Sequence, residues 1–410
     1  MRRLRFLQIS DLHLGCGLAG SKFGFPPAKQ ARINRDIEVA LARAAEIARE
    51  EKVDVVLCPG DLWDDEAVGL QSASSIYDIL GSLAPTPVLI APGNHDPYNA
   101  FSYHHPSYYV NKVGRTHPSN VVVFNSPRVD RRVIDALPGV EFYGCCFEEN
   151  RPRRERMLAD LKPKRDDTLN ILLMHGSQDD LLAGRGEDQM MAAPFTSAEL
   201  VAAGFDYAAL GHYHRHSVIA DPGGAIRGAY SGVPVARRLD ETGEHGVIVA
   251  EAGRGGVAPD ALRLLPVSSR RILRFTAQVD PSVTNTAAAR GRVITALRDH
   301  GVSADDIVLV QLEGRTHPEI TRFDFDPEWC DVQCFHLIVD QSALEPDYDI
   351  DAMLNDETSS KRIEGRFAGR MRQLMTEAGG DPARLRILRA AFCYGLDALN
   401  GREARPRNVH

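Results

Sequence analysis

The sequence predicts an α/β fold: two packed mixed β-sheets flanked by helices, followed by a small α+β domain and C-terminal helices. Three observations predict it. Between residues 4 and 91 short apolar strands alternate with helical patterns, the signature of consecutive βαβ units and a parallel sheet. Between 217 and 267 strands follow one another across glycine turns, which predicts a second sheet packed on the first. Near 268 the pattern changes to a βαββ unit. These shifts divide the chain into 1–267, 268–341 and 342–410.

The elements follow in order. "LRFLQIS" (4–10) reads as a buried strand interrupted by Gln8. Residues 32–51 read as a helix, with Ile33, Ile37, Leu41, Ala44 and Ala48 at three- and four-residue spacing. Strands at 53–59 and 87–91 flank a helix at 72–84, and "VEFYGCCF" (140–147), "LNILLMH" (169–175) and "FDYAAL" (205–210) are further strands. In the βαββ unit, strands at 272–279, 306–314 and 331–340 accompany a helix at 284–299 closed by Gly301. An acidic loop (345–357) precedes two helices. The first carries Ile363, Phe367, Met371 and Met375 and stops at Gly379–Gly380. The second opens with Asp381 as N-cap and Pro382 at the first helical position, and carries Leu385, Leu388, Phe392 and Leu399.

Composition excludes several classes. Of 410 residues 43% are hydrophobic, enough for one large core and smaller units, and the net charge of −8 carries no global basic footprint. Seven scattered cysteines, mostly in apolar runs, fit a reducing compartment; Cys330 and Cys334 lack the second pair that a zinc site needs. The N-terminus has no signal-like apolar middle and no run is long enough to span a bilayer, so a cytoplasmic protein is expected.

The chemistry-bearing residues stand just after the strands. Asp11 and His13 follow the first strand; Asp61 and Asp64 follow the second. Asn94, His95 and Asp96 follow the third, and His175 follows the strand at 169–174. "LGHYHRH" (210–216) puts His212 and His214 after the strand at 205–210. Parallel strands bring such ends to one edge of a sheet, where ligands bind. Each group alone reads as turn chemistry; five together do not. Two carboxylates, one amide oxygen and several imidazoles form a mixed N/O set suited to Mn²⁺, Fe²⁺ or Zn²⁺. Asp61 is the natural bridge, and two cations about 3.5–4 Å apart clamp the attacking and leaving oxygens of a phosphoryl transfer. His216 is left to solvent or a supporting role, and His104 and His105 to the surface or the substrate side.

The blocks "DLH", "GDLWD", "GNHD", "MHG" and "GHYH", spanning residues 11–214, resemble the calcineurin-like metallophosphoesterase superfamily. The resemblance is closest to the SbcD-like double-strand-break-repair nucleases. It implies the calcineurin-like phosphoesterase fold, with Asp11, His13, Asp61 and His214 on one ion and Asp61, Asn94, His175 and His212 on the other. It implies that His95 faces the scissile phosphate and that Asp96 orients it. It also implies Mn²⁺, a capping domain at 268–341, a homodimer, at which the aromatic segment 97–118 (Tyr98, Phe101, Tyr103, Tyr108 and Tyr109) hints, and an SbcC-type, SMC-like ATPase docked on exposed apolar stripes of the C-terminal helices, the bland alternative being that these helices pack on each other as a hairpin. Asp64 stands where some relatives carry histidine, and is assigned to the substrate side.

The expected activity is Mn-dependent hydrolysis of DNA phosphodiesters. For DNA contact the sequence offers Arg151, Arg153 and Arg154 within "RPRRERMLADLKPKR" (151–165), whose seven basic and two acidic residues give 7 − 2 = +5, and the basic tail after 400. A solvated helix face is the bland alternative for 151–165. The competing functional readings are a phosphatase acting on a small molecule or phosphoprotein, and a non-catalytic scaffold subunit of an ATPase complex.

Overall fold

The computed structural model describes residues 2–15, 27–164, 167–181, 192–268, 270–320, 322–325, 329, 334–355, 358 and 361–402. These form two compact units, Met1–Arg271 and Ile272–His410; the segments expected at 268–341 and 342–410 fall together in the second.

In the first unit, β1 (Leu4–Gln8), β2 (Val55–Cys58), β3 (Val88–Ile90) and β4 (Val121–Val123) are parallel neighbours. β6 (Val140–Gly144), β7 (Leu169–His175), β8 (Tyr207–Gly211) and β10 (Ile226–Tyr230) form a second parallel set. β11 (Gly246–Gly253) and β12 (Gly256–Pro266) join the two. The path β4-β3-β2-β1-β11-β12-β10-β8-β7-β6-β5 is therefore one curled twelve-stranded sheet with β9 at its side. The expected pair of sheets is present as two layers of this single hydrogen-bonded path.

The layers meet across an apolar interior. Phe6, Val55, Leu57 and Leu89 belong to the same buried cluster as Phe142, Ile171, Leu173 and Tyr207. The rings of Phe6 and Tyr207 lie 4.7 Å apart. Gln8, the polar break in β1, staples the layers. Its Nε2 donates to Leu210 O (3.1 Å) and Ala229 O (2.8 Å), and its Oε1 accepts from Tyr207 Oη (2.7 Å). The helices Pro27–Glu50 and Leu70–Gly81 cover the outer face of β1–β3 through Ile37, Leu41, Ala44, Ile76 and Leu80. The helix expected at 72–84 thus starts and ends earlier. Sequence reading passed over the strands 121–123 and 130–133 and the helices Pro106–Val113 and Ser197–Ala203. The last of these carries a capping box: Thr196 Oγ1 accepts from Glu199 N, and the Glu199 carboxylate accepts from Thr196 N.

In the second unit, β13 (Ile272–Val279), β14 (Ile307–Thr316) and β15 (His336–Pro346) are parallel, and the helix Thr286–Asp299 packs Val293 and Leu297 on Val308 and Val310. The third strand lies later than expected at 331–340, and the acidic loop expected at 345–357 contains a short helix, Ile350–Asn355. Of the chain-terminal pair, Ile363–Glu377 and Pro382–Leu399, the second is capped as expected: Asp381 Oδ1 accepts from Ala383 N and Arg384 N. Apart from Ile363, which is exposed, their stripes pack on each other. Phe367, Met371, Leu388, Phe392 and Leu396 pack together, with Phe367 and Phe392 stacked at 6.2 Å. No described helix is long and apolar enough to cross a membrane.

Candidate metal centre

The carboxyl ends of the parallel strands deliver the expected side chains to one place. Beyond β1 and β2 the chain continues in register, His13 N donating to Asp61 O and Leu14 N to Leu62 O. Asp11 (φ +55°), His13 (+47°), Asp61 (+54°) and His212 (+108°) adopt left-handed backbone angles that such residues rarely hold, a cost seen at functional sites. Asp11, His13 and His214 form one tight cluster, and Asp11, Asp61 and His175 a second. His175 Nε2 lies 3.2 Å and His13 Nε2 3.6 Å from the same oxygen, Asp61 Oδ2. A Cβ at Gly93 would sit 2.3 Å from Asp61 Oδ1 and 2.9 Å from the His175 ring, so only glycine permits this closeness.

These donors fit divalent cations. His13 Nδ1 is 3.0 Å from Asp64 Oδ1, His214 Nδ1 2.6 Å from Glu241 Oε1, and His175 Nδ1 2.9 Å from Pro59 O. With Nδ1 engaged there, all three turn Nε2 inward. The Nε2 atoms of His13 and His214 approach to 3.2 Å. Asp11 Oδ2 and Asn94 Oδ1 are buried without any hydrogen-bond partner. Asn94 is oriented by Nδ2, which donates to Asn150 Oδ1 at 3.1 Å. His212 is tied by its backbone N to Asp11 Oδ1 (2.9 Å), with its ring 5.3 Å from that of His175.

The electrostatics are those of a preassembled polar site in a dry surround. Burial lifts the Asp11 carboxyl and lowers the His13 imidazole. Burial also opposes ionisation of Asp61, but His175 and His13 outweigh it and hold its carboxyl far below the usual range. Burial works against protonation of His175 as well, yet Asp61 raises it to about 9. Burial and His175 push His212 down to about 3.

Several expected roles are corrected. Asp96 does not orient His95. It is fully buried and accepts hydrogen bonds from Asp61 N, Leu62 N and Gly93 N, so it fixes the backbone of the two loops that carry Asp61 and Asn94. The partner of His95 is Asp64: His95 Nδ1 lies 2.7 Å from Asp64 Oδ1, the oxygen that also accepts from His13. Asp64 is itself buried (8% exposed) and acts as a brace rather than a substrate-facing group. His104, expected at the surface, is fully buried, stacked on Trp63 at 4.2 Å and bonded to Tyr77 Oη and Asp96 Oδ2. Arg153 is corrected too: it donates to the carbonyls of Pro127 and Cys146 and packs over Phe147. Arg151 and Arg154 are exposed, Arg151 paired with Glu149 at 3.3 Å. Segment 151–164 is not helical, and Arg156 within it is bonded to Glu199 and Asp179. Residue 165, Cys330 and the tail beyond 402 lie outside the described residues.

Sequence reading missed Glu241, Asn150 and Pro59 as supports for the cluster. Glu241 and Asn150 sit in turns without periodicity, and only the fold brings them to their partners.

The chain belongs to the calcineurin-like phosphoesterase family, whose match covers residues 4–216, just over half of it. The Asp/His clusters could hold the metal that a family of this kind calls for. The chain is similar to the uncharacterized metallophosphoesterase YhaO of Bacillus subtilis, 26% identical over 62% of this chain and 59% of that protein. It is equally similar, 26% over 72% of this chain and 70% of the relative, to the DNA double-strand break repair protein Mre11 of Saccharolobus solfataricus. This chain therefore spans less than two thirds of YhaO. Among solved structures, a dimetal phosphatase from Danio rerio aligns at 13% identity and a TM-score of 0.36, over 62% of this chain and 97% of its own.

Proposed function

We propose that the protein is a manganese-dependent DNA nuclease, the hydrolytic subunit of an SbcCD-like repair complex acting in the cytoplasm. The observation that carries this reading is the pair of clusters Asp11–His13–His214 and Asp11–Asp61–His175, with a half-exposed imidazole, His95, grouped with His13 and Asp64 next to them; the similarity to a DNA double-strand break repair protein supports the choice of DNA. Asp11, His13, Asp61 and His214 would hold one cation, and Asp61, Asn94, His175 and His212 the other. The pair would activate the attacking water and offset charge on the phosphoryl oxygens.

The chain's own residues do the rest. Asp64 takes the His95 Nδ1 proton as a hydrogen bond and so turns Nε2 outward, where the ring is 39% exposed. Burial lowers the proton affinity of His95, but the bond to Asp64 outweighs it and holds His95 above its ordinary value, suited to protonating a leaving oxygen. Asp96 keeps the Asp61 and Asn94 loops in register. Exposed Arg151 and Arg154 supply DNA attraction, an SMC-like ATPase docks on the helices after residue 349, and the aromatic segment 97–118 mediates dimerisation. The expected hydrolysis pattern distinguishes the alternatives. Protein loaded with Mn²⁺ is offered linear duplex DNA, single-stranded DNA and an aryl phosphate, with and without an ATPase partner. Degradation of DNA is expected; hydrolysis of the aryl monoester alone identifies a phosphatase, and no hydrolysis of any substrate identifies a scaffold.

A further inference from the structure

Arg237 stands out among the buried cations. It is 7% exposed, and a guanidinium cannot shed its charge, so burial obliges it to find acceptors. It has not found them among the described residues. Its nearest acid, Asp64 Oδ2, is 3.6 Å away, and its Nε is buried without a partner. Arg270, equally buried, shows the contrast: its Nε and Nη2 both reach Asp36 Oδ2 at 2.8 Å. Asp64 cannot serve Arg237 in that way, because its other oxygen already holds His13 and His95.

The position of Arg237 is nevertheless fixed, and fixed toward the metal centre. Its backbone N donates to Glu241 Oε2 at 2.6 Å, while Oε1 of the same carboxylate holds His214. One acid thus ties Arg237 to His214, and a second acid places its side chain next to His13 and His95. A buried, under-bonded guanidinium beside these groups needs an anion with several oxygens, which it can grip through two N–H donors.

Resting on the phosphoesterase reading above, we infer that Arg237 is the residue that binds a non-bridging phosphoryl oxygen of the substrate. The anion completes the hydrogen bonding of the guanidinium on the same carboxylate that steers His95, so binding and proton delivery are aligned by Asp64. The source of the phosphate is a terminal monoester or an internal diester of a nucleic acid strand.

The test compares the full chain with Arg237→Gln and Arg237→Lys, all loaded with Mn²⁺. Bound manganese is measured by elemental analysis and inorganic phosphate affinity by calorimetry. Affinity for a single strand without terminal phosphates is measured by anisotropy, and kcat and KM are measured on bis(p-nitrophenyl) phosphate. Arg237→Gln is expected to keep its manganese and to bind phosphate about 10- to 100-fold more weakly with a raised KM, the loss of a charge-assisted pair. Arg237→Lys, which keeps the charge but not the fork, is expected to recover part of the loss and carries the test should the glutamine variant not fold. Weakening confined to the strand identifies an internal diester as the anion; weakening confined to inorganic phosphate identifies a terminal one. Phosphate affinity, strand affinity and KM all within twofold of the parent would overturn the inference and leave Arg237 a counter-charge for Asp64, even if hydrolysis is intact. A parent that hydrolyses nothing but loses phosphate affinity on Arg237→Gln would instead remove the hydrolase reading and leave the anion site standing.

Discussion

At the scale of single residues the site separates holding from acting, and variants can tell the two apart. Asp61 is approached by His175 and His13 on one oxygen, while its other oxygen accepts from His95 N. Asp61→Ala removes the shared carboxylate, so elemental analysis is expected to find both cations lost. His95 lies outside the cluster that Asp61 joins, grouped instead with His13 and its partner Asp64. His95→Ala is therefore expected to keep its metal and lose about 10²- to 10⁴-fold in kcat, the usual worth of a positioned proton donor. The Asp64 bond raises His95, so the protonated form persists to higher pH and activity is lost as pH rises through that raised value. Asp64→Asn weakens the pull, and the alkaline limb of kcat against pH should move to lower pH. An unmoved limb in a metal-replete variant would show that Asp64 does not tune His95. The convergence of these side chains was legible in the sequence because each stands at an apolar strand end, where parallel topology brings such ends together. The pairing of His95 with Asp64 rather than Asp96 was not, because it depends on which way two neighbouring loops turn: Asp96 faces the amides of 61, 62 and 93 instead.

At the scale of elements, local chemistry explains both what was readable and what was overlooked. The helix Ser197–Ala203 is too short for a periodic stripe, yet Thr196 and Glu199 bear the spacing of a capping box and could have announced it. Thr196→Ala leaves the amide of Glu199 without its cap, and a loss of about 1 kcal/mol in denaturant unfolding is expected. Glu199 also faces Arg156, whose bond together with the cap holds its carboxyl down at about 2. A carboxyl lowered in the folded state contributes stability that is complete above its unfolded value near 4.5 and is lost as pH falls toward 2. The pair is exposed to solvent, which screens it, so the difference is expected to be small. Arg156→Gln should accordingly lower stability at pH 7 and converge with the parent near pH 2; a constant difference across that window would assign the effect to packing. The terminal helices teach the converse lesson. Their stripes were plain in the sequence, but a stripe does not state its partner, and Gly395 shows which one it has: a Cβ there would strike the Phe367 ring at 2.2 Å.

At the scale of the whole molecule the two halves of the curled sheet must stay in register for the site to exist, because its side chains come from both. Asp11, Asp61 and Asn94 follow β1, β2 and β3 of one layer; His175 ends β7 and His212 and His214 follow β8 of the other. Apolar packing between the layers supplies most of the attraction but little direction. Direction comes from Gln8, whose amide reaches the backbone of β8 and β10 and whose carbonyl receives Tyr207 Oη. The sequence showed Gln8 only as an interruption of an apolar strand. Its purpose depends on a contact 199 residues away, which no local pattern encodes. Tyr207→Phe keeps the ring against Phe6 and deletes only the hydroxyl, leaving Gln8 Oε1 buried without a donor. A cost of about 1–3 kcal/mol is expected, the desolvation penalty of one orphaned acceptor. The same change should weaken cation binding beyond what global unfolding explains, because β1 and β8 are the strands it uncouples. Metal affinity measured well below the unfolding temperature checks this: a variant that is destabilised yet binds metal as tightly as the parent would mean that the ligand loops hold their own register, and that the staple serves stability alone.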